Sequence, residues 1–237
     1  MKTVLYTILL LTISNLTLAQ NTSRTFQKFN RKEQVYEITV NDGIYRIQFY
    51  TPSIVETSFI PEGETYSEQS HAVVLHPTPV KAKISQTDTS LHIETNVITV
   101  SIQKNPFQIS YLNDNRPIIS EKRGYISDSL EKIQLNLTEQ EALYGGGARA
   151  LNMKRRGHRL KLYNRAHYGY EERSELLNYT MPVVVSSKRY LVHFDNPATG
   201  FLDLDSKGNN TLTYETLSGR KTYQVVVGDS WKELIDH

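Results

Sequence analysis

Residues Tyr144 to Tyr170 read YGGGARALNMKRRGHRLKLYNRAHYGY, which packs three consecutive glycines, seven Lys or Arg and four tyrosines into 27 residues. Phosphate, nucleic acid and sugar are the ligands such a mixture could serve. Gly145, Gly147 and Ala150 have the spacing of a dinucleotide fingerprint, with Glu171 about twenty residues on. That fingerprint needs a strand before it and an apolar-striped helix after it. Here LNMKRRGHRLKLY is interrupted by Gly157 and passes into strand-like alternation from Arg159 to Tyr163, so the context fails. No Gly-Lys-Ser/Thr follows the glycines, and a Walker loop fails with it.

The cations Arg149, Lys154, Arg155, Arg156, Arg159, Lys161 and Arg165 are interleaved with Tyr163, Tyr168 and Tyr170. Phosphate tracking uses cations and base stacking uses aromatics, but a solvated face of a β-ribbon accounts for the same pattern more simply. Lys154 and Arg155 in particular read as solvated. Sugar binding needs aromatic faces against C–H surfaces and planar polar groups against hydroxyls. Tyr163, Asn164, Arg165, His167, Tyr168 and Tyr170 supply both on one expected loop and form the candidate substrate-binding set.

The elements that must hold this loop are strands. Short alternating runs rich in Val, Ile, Thr and Tyr cover Gln34 to Val40 and Gly43 to Tyr50, joined by Asn41-Asp42, residues that tolerate the positive φ of a tight hairpin. Further runs are expected at Ile54 to Ile60, Ala72 to Leu75, Thr89 to Thr95, Val97 to Gln103, Phe107 to Leu112 and Lys132 to Leu137. Leu177 to Val185, Tyr190 to Phe194, Thr211 to Thr216 and Thr222 to Val227 complete the set. The fold class is all-β, a large antiparallel sandwich.

At 237 residues, 38% hydrophobic and 22% charged, the chain has the composition of a folded protein that can bury a sizeable core. A formal net charge of +2 gives no global field that would gather polyanions, so no nucleic-acid partner is expected. Residues 1–20, MKTVLYTILLLTISNLTLAQ, show Lys2, an apolar run from Val4 to Ile13 and a small-residue end at Ala19. This reads as a secretory leader cleaved near Ala19, predicting export to the periplasm or medium; the run is too short to span a membrane. The absence of cysteine excludes disulfides and thiolate metal sites. No H-x-H or H-E-x-x-H spacing suggests a metal, and no cofactor is expected. Residues 21–228 form the sandwich. In residues 229–237, Ser230 precedes Glu233 by three in a capping box, with Trp231, Leu234 and Ile235 at helical spacing, so a helix is expected to open there.

From Leu143 to Asp236 the residues resemble the end of the N-terminal β-sandwich of glycoside hydrolase family 31, the α-glucosidase family. The resemblance rests on Tyr144, Gly145, Gly147 and Arg149 in a glycine turn, Arg156-Gly157, Asn164 in a polar loop, Tyr179, Met181 and Pro182, and Phe194-Asp195-Asn196. Ala148 stands where that family shows Glu, Ala166 where its loop shows Asp, and Tyr163 where it shows Trp, as in a divergent subgroup similar to oligosaccharide 4-α-glucosyltransferases and bacterial α-glucosidases.

The resemblance implies a mutarotase-like sandwich packed on a (β/α)8 catalytic barrel C-terminal to His237, with an α-linked gluco-oligosaccharide as ligand. Retention needs two carboxyl groups about 5 Å apart, and in the family both sit on the barrel. The chain alone therefore contributes no catalytic residue, and Glu171, Glu172 and Glu175 read as a solvated turn. A stand-alone carbohydrate-binding sandwich is the alternative. A mutarotase-like epimerase would need paired histidines with a Glu, a motif absent from the seven histidines.

Overall fold

The computed structural model describes residues 23–166, 168–169, 171–174 and 177–237. The expected leader, His167, Tyr170 and Glu175 lie outside the described residues. In chain order the strands are β1 Phe26–Lys32, β2 Val35–Val40, β3 Gly43–Thr51, β4 Ile54–Pro61, β5 Lys83–Gln86, β6 Ser90–Glu94, β7 Ile98–Lys104, β8 Phe107–Asn113 and β9 Arg116–Ser127. They continue with β10 Glu131–Asn136, β11 Leu143–Gly145, β12 Arg159–Leu162, β13 Val183–Ser186, β14 Tyr190–Phe194, β15 Gly200–Leu204, β16 Thr211–Thr216 and β17 Thr222–Val227, before helix α1 Trp231–Asp236.

The strands form two sheets. One has eight strands in the order β1-β2-β3-β4-β17-β14-β13-β11, and the other nine in the order β12-β15-β16-β10-β9-β8-β7-β6-β5. Every neighbouring pair is antiparallel. The large all-β antiparallel sandwich expected from the alternating runs is the observed architecture. The period-2 pattern explains it: β2, β6, β14 and β15 alternate buried and part-buried residues along their whole length, so each offers one apolar face to the facing sheet. The core between the sheets is dense in β-branched and aromatic side chains, including Tyr45, Tyr111, Tyr223, Ile38, Ile47 and Val225. The Asn41-Asp42 hairpin is present, with Val40 opposite Gly43.

β4 and β17 are buried on both faces. Val55, Phe59, Tyr223 and Val225 face the main core, whereas Ile54 and Val226 join a second cluster with Tyr50 and Leu234 of α1. The strand expected at Ala72 to Leu75 does not form. These residues belong to the long crossing between β4 and β5, and Val73 packs on the second cluster instead of pairing. Only Val73 of the apolar run reaches a sheet face; Ala72, Val74 and Leu75 are exposed. Leu177 to Val185 shortens to β13 Val183–Ser186, beginning just after Pro182, which has no N–H to donate. The expected cap is in place: the Ser230 side chain accepts from the Glu233 N–H at 3.1 Å, and the Asp229 N–H donates to Glu233 Oε2 at 2.9 Å.

Candidate functional site

β11 and β12 are the end strands of the two sheets, and residues 146–158 carry the chain from one to the other. The glycine turn exists because the backbones touch there. Gly146 N–H donates to Val183 O at 2.9 Å and Ala148 N–H to Tyr179 O at 2.9 Å, while Gly145, Gly146 and Gly147 all have positive φ. A Cβ on Gly147 would lie 2.6–2.7 Å from backbone atoms of Tyr179, Thr180 and Met181.

The arginines that made this stretch look like an anion-binding surface are largely spent on the fold. Arg149 is buried, donating from Nε to Gly146 O at 3.2 Å and from Nη2 to Lys161 O at 2.7 Å, and so ties the turn to β12. Arg156 donates to the carbonyls of Thr138 and Glu141 and pairs with buried Asp205 at 2.9 Å. Arg159 pairs with Glu215 across the sheet and stacks on Phe201. Arg155, read from the sequence as solvated, is buried at 9% exposure. Lys154 is exposed as expected.

The loop from 163 to 182 leaves β12 and returns at β13. Asn164 Oδ1 accepts from both the Thr180 N–H (2.6 Å) and the Thr180 hydroxyl (2.8 Å), which pins the two ends of the loop together. Tyr163 and Asn164 line an open pocket of about 260 Å³ with Leu162, Thr180, Pro182 and Asn196. Tyr163 is 43% exposed, with the Lys161 ammonium 5.3 Å from its ring centroid. Arg165 is exposed and Tyr168 is 89% exposed on the same loop, outside the pocket lining. Of the six sequence-derived candidates, the structure thus brings Tyr163 and Asn164 into one concavity and sets Arg165 and Tyr168 beside it. Glu171 and Glu172 sit on an exposed turn.

Sequence reasoning missed the opposite wall of the pocket, Pro197, Ala198 and Thr199. Its signal was Asn196, whose Oδ1 accepts from Ala198 N–H at 2.9 Å while Nδ2 donates to Ser218 O and Arg220 O. Phe194 and Asp195 of the same motif are architectural too: Phe194 stacks on Tyr214 at 4.8 Å and Asp195 pairs with Arg220.

The buried carboxylates are held inside the sandwich. Glu121 accepts from Tyr45 (3.0 Å) and Tyr223 (2.9 Å), and burial pushes its carboxyl up to about 7 despite these bonds and the nearby Arg24 guanidinium. Glu141 accepts from Ser186 and Tyr190, and Glu56 from Tyr50, Tyr66 and Gln224. Burial lowers the His193 imidazole below its ordinary value, and that histidine is a half-buried strand residue. Among the described residues, no three His, Asp or Glu side chains converge on a common metal position. The concavity at Tyr163 and Asn164 presents polar and aromatic groups to solvent, which suits hydroxyl groups and ring faces.

The glycosyl hydrolase 31 N-terminal galactose mutarotase-like domain model matches residues 44–203. Alpha-glucosidase 2 of Bacillus thermoamyloliquefaciens is 26% identical over 216 residues, covering 88% of this chain and 27% of that protein. Among solved structures, a family 31 dextranase of Flavobacterium johnsoniae complexed with glucose superposes with a TM-score of 0.83 at 21% identity, over 89% of this chain and 27% of the dextranase. The cycloalternan-forming enzyme of Listeria monocytogenes, in complex with a pentasaccharide substrate, gives 0.72 at 17% identity, over 90% of this chain and 22% of its own. The chain therefore spans about a quarter of the length of these relatives.

Proposed function

The chain belongs to the glycosyl hydrolase 31 N-terminal galactose mutarotase-like domain family, and from that premise we propose that it serves as the non-catalytic amino-terminal sandwich of an exported enzyme acting on α-linked glucosides. In this reading the sandwich packs on a catalytic barrel, which supplies the nucleophile and acid/base carboxyls, and the loop from Tyr163 to Tyr170 adds a wall to the sugar site. The observation that carries it is the pocket where Tyr163 and Asn164 meet Thr180 and Asn196, in a chain whose family motifs otherwise serve the fold. Asn164 positions the loop through Thr180, while Arg165 and Tyr168 remain free to reach a hydroxyl and cover a ring face. The dextranase relative was solved with glucose and, as a variant, with isomaltotriose, which makes gluco-oligosaccharides the ligand class to test.

The test is kinetic, in the full-length enzyme. Arg165→Ala should lower kcat/KM on malto- or isomalto-oligosaccharides by about tenfold or more, because a hydrogen bond from a charged donor is worth roughly 1.5 to 3 kcal/mol and about 1.4 kcal/mol is a factor of ten. Tyr168→Ala should lower it by about tenfold through loss of buried aromatic area, roughly 1.5 to 3 kcal/mol for a large side chain. Lys154→Ala, on the exposed basic turn, should change it by less than about twofold. The isolated chain should bind these sugars weakly or not at all. Tight binding by the chain alone would favour a self-sufficient carbohydrate-binding module.

Export is the second half of the proposal, motivated by Lys2, the apolar run from Val4 to Ile13 and Ala19. N-terminal sequencing of material recovered from periplasm or medium should start near Gln20 or Asn21. Soluble cytoplasmic protein retaining Met1 would end it.

A further inference from the structure

Three guanidinium groups lie between β11 and β12, and the structure treats them differently. Arg149 and Arg156 are provided with carbonyl and carboxylate acceptors. Arg155 is just as deeply placed, at 9% exposure, yet its Nε and Nη1 have no hydrogen-bond partner. Its backbone is fixed on both sides, with the N–H donating to Leu143 O at 2.7 Å and the carbonyl accepting from His158 N–H at 3.1 Å, so the side chain is not placed there by slack in the loop.

A guanidinium does not give up its proton in proteins. With Nε and Nη1 buried and without an acceptor, Arg155 keeps a charge whose desolvation at those two nitrogens is not offset by a bond, whereas nine-tenths or more of buried polar groups in native proteins are satisfied. The surroundings indicate what would satisfy it. Lys154 beside it is exposed, and Met153 stands 80% exposed two residues away. Methionine and arginine are among the residue types enriched at protein–protein contacts, and the complement of an unpaired guanidinium is an acidic group.

Building on the reading of the chain as one domain of a larger enzyme, we propose that Arg155 is the anchor for an Asp or Glu side chain of the polypeptide that packs on this edge of the sandwich. Charge-assisted bonds from Arg to carboxylate are among the stronger hydrogen bonds available to proteins, and this one would be completed only on assembly.

Two measurements test it. In the 237-residue chain, Arg155→Met removes an unpaired charge while keeping the buried stem, so it should raise Tm in chloride buffer by about 3 °C or more, at about 2 to 4 °C per kcal/mol for a domain of this size. Acetate at matched ionic strength should raise the Tm of the unaltered chain and leave that of the variant unchanged. In the full-length enzyme the same substitution should instead lower Tm. A lower Tm for the variant in the short chain, or an equal acetate response in both, overturns the anchor. An acetate response confined to Arg155 combined with an unchanged full-length Tm overturns the polypeptide carboxylate as its partner. If Arg155→Met does not fold, Arg155→Gln carries the same comparison. Loss of oligosaccharide turnover in the loop variants reads the proposed function separately, since Arg155 does not line the Tyr163 pocket.

Discussion

Gly147→Ala should destabilise the sandwich by at least about 3 kcal/mol and lower its Tm by roughly 10 °C, at about 2 to 4 °C per kcal/mol for a domain of this size. Gly147 has φ +84°, where an L side chain costs about 1 to 2 kcal/mol. The larger part comes from contact. The new Cβ would stand 2.6 Å from Thr180 Cα and 2.7 Å from Met181 N and Tyr179 O. These backbone atoms cannot retreat cheaply, because Ala148 N–H bonds Tyr179 O on one side of the glycine and Gly146 N–H bonds Val183 O on the other. Either the turn or the return of the loop to β13 must give, and a lost buried hydrogen bond adds about 1 kcal/mol or more. Gly157→Ala is the matched control: its φ is +93° but nothing lies within 4 Å of the added Cβ, so only the backbone cost of about 1 to 2 kcal/mol remains. Thermal melts of the two variants side by side decide the matter. Equal losses would mean that the close approach at Gly147 carries no weight.

Stability should fall as pH rises from about 4.5 to about 7, and Glu121→Gln should remove that slope. The Glu121 carboxyl is fully enclosed, and burial raises it from the ordinary 4.5 to about 7, with Arg24 and the hydroxyls of Tyr223 and Tyr45 pulling in the opposite direction. Between those two values the folded chain keeps a proton that the unfolded chain has released. Folding is therefore favoured at the acid end of the window and progressively less so towards neutrality, after which this group adds no further slope. A difference of about 2.5 pH units corresponds to about 3 kcal/mol at 1.36 kcal/mol per unit. Urea unfolding of both chains at intervals from pH 4 to 8 is the measurement. The difference in unfolding free energy between Glu121→Gln and the unaltered chain should grow across that window and be flat on either side. A difference that is constant with pH, or that grows with acid, would contradict a carboxyl held protonated by the core.

The proposed carboxylate anchor at Arg155 and the proposed sugar-contacting loop lie at opposite sequence ends of the same strand, β12, with Arg155 before it and Tyr163 after it.

The amino-acid sequence by itself determined the sandwich, because period-2 alternation is a local signal: runs such as VYEITV and YLVHF announce one apolar face wherever they are placed. It also determined the Asn41-Asp42 hairpin and the Ser230 cap, whose partners lie within a few residues. The edge strand β1 carried no such signal. It reads FQKFNRK and is mostly solvent-facing, and only its ladder with β2 makes it a strand. The fate of the basic stretch was decided by tertiary structure alone. Whether an arginine is solvated, stapled or stranded depends on which carbonyls and carboxylates the fold brings within about 3 Å, and those come from Gly146, Lys161, Glu141 and Asp205, up to 49 residues away. The pocket has the same origin. Tyr163 and Asn164 were visible as candidates from residue type, but their opposite wall at Asn196 to Thr199 follows from the pairing of β12 with β15, a long-range contact whose register no local pattern encodes.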